Sequence, residues 1–216
     1  MSGPGVPVHP PPGAASPIRS FVIRAGRVTD AQQRALLEQW PRYGVEFSAG
    51  TLDLPALFGN TGPCTLEIGF GNGAHLVGRA QTEPARNFLG VEVHRPGIGS
   101  LLRVAAAAGL GNVRVIAHDA VAVLRSQIAP ETLDEVQILF PDPWPKKRHH
   151  KRRLIQAEFA LLVATRLCKG GRLLLATDWE PYAEQMRLIL NACPLLEKVD
   201  GPGAETAAGA PGRTQT

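Results

Sequence analysis

A chain of 216 residues, 44% of them hydrophobic, can bury one sizeable α/β core; it carries no run of about 18 apolar residues and no secretory leader pattern. Net charge is +4, but residues 146–153 (KKRHHKRR) hold six of the 23 Lys and Arg and no acid, so the remaining 17 bases face 19 acids. A generally basic protein is thereby excluded: the composition is that of a mildly acidic body with one cationic strip, suited to a polyanionic partner.

The first 17 residues are rich in Pro and Gly and almost uncharged, too poor in apolar surface to offset the entropy of ordering, so they read as a disordered leader. From Arg19 a basic arm runs into an N-cap candidate, Thr29 or Asp30, ahead of apolar residues at helical spacing, which predicts a short entry helix. Five apolar runs then alternate with helical stretches: 65–69 (TLEIG), 87–93 (NFLGVEV), 112–118 (NVRVIAH), 135–140 (EVQILF) and 171–177 (GRLLLAT). Four are near-continuous rather than alternating, as in strands covered on both faces, and the spacing is that of βαβ units. The expected architecture is α/β: a doubly wound, mostly parallel, Rossmann-like sheet over residues 18–195, followed by a disordered or aberrant tail over 196–216.

Directly after the first predicted strand stands Gly69-Phe70-Gly71-Asn72-Gly73. Glycines there let the chain turn sharply from strand to helix and let a ligand approach the backbone, although an ordinary glycine turn has the same composition. Glu92 closes the second strand, where a carboxylate can accept hydrogen bonds from ribose hydroxyls. Asp119 follows the third strand and Asp142 the fourth, so three acids share the edge at which open α/β sheets bind ligands. The glycines are closer together than a dinucleotide loop requires, and Glu67 inside the strand before them suits a cation rather than a diphosphate. S-adenosyl-L-methionine, with its sulfonium, ammonium, ribose and adenine, matches such a set: Glu67 near the amino-acid part, Glu92 on the ribose, Asp119 near the adenine amine. A helix cap or buried ion pair is the plainer alternative for Glu67 and Asp119.

Residues 140–153 (FPDPWPKKRHHKRR) form the most specific segment. Pro141 and Pro143 bracket Asp142 and stiffen its loop. Lys146, Lys147, Arg148, Lys151, Arg152 and Arg153 would grip phosphates, and His149 and His150 belong to the same surface. Asp178 follows the fifth strand at the same edge, with a helix N-cap as the alternative role. Cys64, Cys168 and Cys193 have neither CxxC nor Cys/His metal spacing, so a reducing cytoplasm and no metal are expected.

With those segments in place, the chain resembles the bacterial tRNA (guanine-N7-)-methyltransferase family. The stretches RAGRVTDAQ, LEIGFGNGAHL, FLGVEVHRPG, FPDPWPKKRHHKRRL and ATDWEPYAEQM match in order over about residues 19–190. The resemblance implies a class I methyltransferase using S-adenosyl-L-methionine on a guanine of the tRNA variable loop. It implies that Glu67, Glu92, Asp119 and Asp142 contact the cofactor, that Lys146 and Asp178 contact the substrate, and that Asp142 is catalytic. It also implies a cytoplasmic monomer or homodimer with no obligatory protein partner. Guanine N7 carries an in-plane lone pair and no proton, so positioning and electrostatics should outweigh general-base catalysis.

The family continues with two further strands and a Thr-Lys/Arg-Phe-Glu motif, whereas residues 200–216 here are rich in Gly, Ala and Pro. That departure raises an alternative, a weakened or non-catalytic variant that still binds cofactor or RNA. A nicotinamide-dependent oxidoreductase is disfavoured by the missing third glycine of the dinucleotide loop and by the lack of a Tyr/Lys or His proton-donor pair.

Overall fold

The computed structural model describes residues 27–199; the Pro-rich leader and the tail from residue 200 lie outside them. The chain begins with α1 (Asp30–Glu38), whose N-cap is Thr29: its hydroxyl accepts from the Gln32 amide while the Gln32 side chain accepts from the Thr29 amide. This reciprocal pair settles two otherwise orphaned amides and fixes the start of the helix where the sequence placed it. Then come α2 (Trp40–Tyr43), β1 (Gly44–Val45), α3 (Leu54–Phe58), β2 (Cys64–Ile68), α4 (Ala74–Thr82), β3 (Asn87–Val91), α5 (Arg95–Ala107) and β4 (Val113–Ile116). The second half runs α6 (Ala120–Ser126), β5 (Leu133–Leu139), a 3-10 helix (Lys147–Arg152), α7 (Ala157–Arg166), β6 (Leu167–Ala176) and α8 (Glu180–Asn191).

The six strands form one sheet in the order β1-β4-β3-β2-β5-β6, and every neighbouring pair is parallel. All five expected strands are present. The sixth, β1, is only two residues long, too short to leave a periodic signal. The last strand starts at Leu167 rather than near residue 171 because the irregularity at Gly170-Gly171 lies inside it: Leu133 pairs with Leu167 but Glu135 with Arg172. Gly170 takes φ +80, and a side chain at Gly171 would meet the Leu133 and Cys168 carbonyls within 3.0 Å. The glycine pair marks a bulge within the strand.

Two apolar layers sandwich the sheet. On one face Ala35 of α1, Leu76 and Ala80 of α4, and Ile98, Leu101 and Leu102 of α5 pack on Phe88, Val113 and Val115. On the other, Val123 and Leu124 of α6, Phe159 and Val163 of α7, and Tyr182 and Met186 of α8 pack on Leu66, Ile68, Val91, Val136 and Ile138. β2 and β3 are buried at every position, which is why they read as continuous apolar runs. Because all strands are parallel and Ile68 registers with both Val91 and Ile138, the segments after β2, β3, β4, β5 and β6 emerge along one edge. Among the described residues no helix is long and apolar enough to cross a membrane.

Candidate active site

The loop after β2 is built on three left-handed glycines, Gly69 (φ +72), Gly71 (φ +59) and Gly73 (φ +79), a run no other residue type adopts at comparable cost. They have different tasks. Gly73 is the N-cap of α4, and a Cβ there would stand 2.6 Å from Leu101, so it seats the loop against α5. At Gly69 and Gly71 a Cβ would meet nothing within 4 Å, so the space above the turn is open to a ligand.

Glu92, just past β3, turns its carboxylate onto that loop. Oε2 accepts from the Gly71 amide at 3.0 Å, and Oε1 accepts from the amides of Val93 at 2.7 Å and His94 at 3.0 Å. A carboxylate has about four acceptor positions; three are used by backbone, so the group is oriented and retains capacity for a hydroxyl. Glu67 is buried, at 3% exposure, with Oε2 3.0 Å from His75 Nδ1 on the first turn of α4. Asp119 is the N-cap of α6, its Oδ1 accepting from the Ala122 amide at 2.9 Å. The cap alternative is therefore realised for one oxygen of Asp119, and one oxygen of Glu67 is engaged by a histidine ring nitrogen.

After β5 the chain enters a loop with two non-glycine residues at positive φ, Phe140 (+53) and Trp144 (+43), on either side of Asp142. Such backbone is held only where surroundings over-determine it, and it clusters at functional sites. Asp142 is exposed. Beyond it Lys146 caps the 3-10 helix, whose residues Lys147, Arg148 and Lys151 are exposed. The Arg152 guanidinium lies 5.1 Å from the Trp144 ring centroid, and His149 meets the same ring edge-on at 5.8 Å. Partial burial, and then the charges of Arg148, Arg152, Lys146 and Lys151, hold His149 below the usual histidine range. The sequence motif thus folds into a compact cationic knob on an aromatic post, not an extended strip.

Arg153 is placed differently from the other cations of this segment. Expected among the phosphate-binding cations, it is buried at 3% exposure: Nε donates to the Pro143 carbonyl at 2.8 Å and Nη1 to Gln185 Oε1 at 2.5 Å, with the guanidinium 4.8 Å from the Tyr182 ring centroid. It stands at the C-terminal end of the 3-10 helix with its side chain buried. Asp178, between β6 and α8, is exposed, and the N-cap position of α8 belongs to Trp179, with no side-chain cap; the cap alternative for Asp178 is not realised.

Three neighbours of the site escaped sequence reasoning. His75 carried no signal beyond its place one turn after the glycine loop. His118, immediately before Asp119, stacks on Phe47 at 3.7 Å between ring centroids and 4° between planes, a pairing across 71 positions that no local pattern shows. Gln137, registered beside Glu67 on β5, is buried and donates to Glu135 while its carbonyl oxygen has no partner among the described residues.

A wholly parallel doubly wound sheet carries a tight glycine turn after β2 and a carboxylate closing the next strand onto that turn, an arrangement that fits a methyltransferase. Residues 61–209 match the family model described as a putative methyltransferase. The chain is 54% identical over 186 residues to the tRNA (guanine-N(7)-)-methyltransferase of Leifsonia xyli subsp. xyli, covering 86% of this chain and 82% of that one. Identity is 53% to the enzyme of that name from Xanthomonas campestris pv. campestris (88% and 73% covered) and 52% to that from Shewanella woodyi (82% and 74% covered). The chain belongs to the tRNA (guanine-N(7)-)-methyltransferase family.

Proposed function

We propose that this protein methylates N7 of a guanine in tRNA, using S-adenosyl-L-methionine, in the cytoplasm and without an obligatory protein partner. The observation that carries the reading is the shared edge: the glycine turn, Glu92, Asp119, the Asp142 loop and Asp178 all emerge where the parallel strands end, and the cationic 3-10 helix leaves from the same loop as Asp142. The relatives' names support the catalytic reading over a weakened variant.

The residues present fit the donor. Open backbone at Gly69 and Gly71 would take its close approach, Glu92 the ribose hydroxyls, buried Glu67 the ammonium and Asp119 the adenine amine. When bound, the donor supplies a methyl carbon on a sulfonium, which leaves a neutral thioether once the carbon has moved. The purine needs no deprotonation at N7, so the chain's task is orientation. Lys146, Lys147, Arg148, Lys151 and Arg152 hold the phosphates, Asp178 and Lys146 meet the nucleoside, and Asp142 places negative charge beside a ring that becomes cationic.

Incubation of the full chain with bulk tRNA and methyl-labelled donor, followed by cleavage at N7-methylguanine, tests this. Label confined to one guanine is the expected result; unlabelled tRNA, or label on another atom, overturns it.

A further inference from the structure

We propose that Arg153 is a positioning residue that fixes the Asp142 loop against α8, rather than a phosphate ligand. The inference rests on the functional reading above and extends it to a side chain that does not touch substrate.

Burying a guanidinium is costly unless its donors are used; among the described residues Arg153 has no carboxylate within ion-pair distance, and its buried Nη2 has no hydrogen-bond partner. Its use lies in the fork. Nε reaches the carbonyl of Pro143, the residue after Asp142, and Nη1 reaches Gln185 on α8, while the plane stacks on Tyr182 of the same helix. Only arginine can serve two acceptors and a ring face at once from a fixed plane.

The helix holds the following residues as well. The Ile155 amide donates to the Tyr182 hydroxyl at 3.0 Å, and the Gln185 amide group donates to the Ile155 carbonyl at 3.2 Å. Because α8 starts two residues after Asp178, one cluster sets the relation between the acid after β5 and the acid after β6. Phe140 and Trp144 take positive φ at either side of Asp142, backbone that persists only where its surroundings over-determine it, and Arg153 adds one contact to that loop at Pro143.

The test is steady-state kinetics and hydrogen exchange on Arg153→Lys and Arg153→Met in the full chain. Both variants should lose about tenfold or more in kcat, because small misplacement of a reacting group is expensive. KM for tRNA and the salt dependence of tRNA binding should stay within about twofold of the parent. Exchange should quicken in residues 140–153 and 177–182 but not in 64–73, a readout that decides the tether even on a chain that methylates nothing. A raised KM with a shallower salt slope and intact kcat, or unchanged loop exchange, would overturn the proposal. Should Arg153→Met fail to fold, Gln185→Leu removes one arm of the fork and should lower kcat about threefold with KM preserved; unchanged kcat there counts against the proposal equally.

Discussion

The Gly71 amide donates to the Glu92 carboxylate at 3.0 Å, joining the loop after β2 to the end of β3 across 21 positions of sequence. The same group that would receive ribose hydroxyls thus also sets the conformation of the turn over which the donor would lie. Charge-assisted bonds to backbone amides are worth about 1.5–3 kcal/mol each. Glu92→Ala should therefore weaken S-adenosylhomocysteine binding by about 10- to 100-fold in calorimetry while costing at least about 1.5–3 kcal/mol of unfolding free energy. Undiminished affinity would remove Glu92 from the cofactor site.

Gly71→Ala and Gly73→Ala separate binding from folding within one loop. Both sites have positive φ, which costs a Cβ-bearing residue about 1–2 kcal/mol. At Gly73 the new methyl also collides with Leu101 at 2.6 Å, adding an overpacking penalty of about 1–3 kcal/mol. Gly73→Ala should accordingly show the larger loss in urea unfolding. Gly71→Ala, whose Cβ would point into open space, should unfold nearer to the parent yet bind S-adenosylhomocysteine at least tenfold more weakly. Equal stability losses at the two positions would contradict this division.

Most of the sheet was legible because parallel strands covered on both faces read as near-continuous apolar runs, as β2 and β3, buried at every position, largely do. The glycine turn and the acids after each strand were legible for a related reason: parallel strands send all their carboxyl ends to one edge, so local position implies spatial neighbourhood. Arg153 shows where that logic ends. Six cations in eight residues look alike in one dimension, yet the end of the 3-10 helix turns Arg153 inward and leaves Lys147 and Lys151 outside. His118 and Phe47, or Glu67 and His75, are likewise set by packing across elements, which periodicity does not encode.

Alkaline pH should destabilise the fold. Burial first, and then the charge of Asp134, pushes the Cys64 thiol up from 9.0 to about 12; burial likewise raises the Tyr182 phenol from 10.0 to about 12, against hydrogen bonds that oppose it. The neutral, protonated form is the one the folded state favours, so this stability is complete below the ordinary values and is lost as pH rises through about 9 to 12. Urea midpoints should fall across that window, and less steeply in Cys64→Ala. In the same vein, Cys64, whose amide donates to Asp134 at 2.7 Å, should resist a thiol reagent at about pH 8 until denaturant is added. Fast native labelling of Cys64, or a flat pH profile, would contradict the assignment.

The cationic knob makes a quantitative demand on tRNA binding. Lys146, Lys147, Arg148 and Lys151 are exposed and Arg152 is half-buried against Trp144, so five cations can displace counterions. On that count the logarithm of affinity should fall against the logarithm of salt with a slope of at most about −4 to −5. Alanine at Lys147 or Lys151 should flatten it by about one unit and weaken binding evenly across tRNA species. Arg152→Ala should do more, because it also removes the cation stacked on the Trp144 ring and loosens the post beneath the knob. Arg153→Met, by contrast, should leave the slope where it was, since a buried guanidinium releases no counterions. A slope that falls equally for all four substitutions would mean that the knob opens on the RNA and turns Arg153 outward, and the distinction between gripping and positioning would then fail.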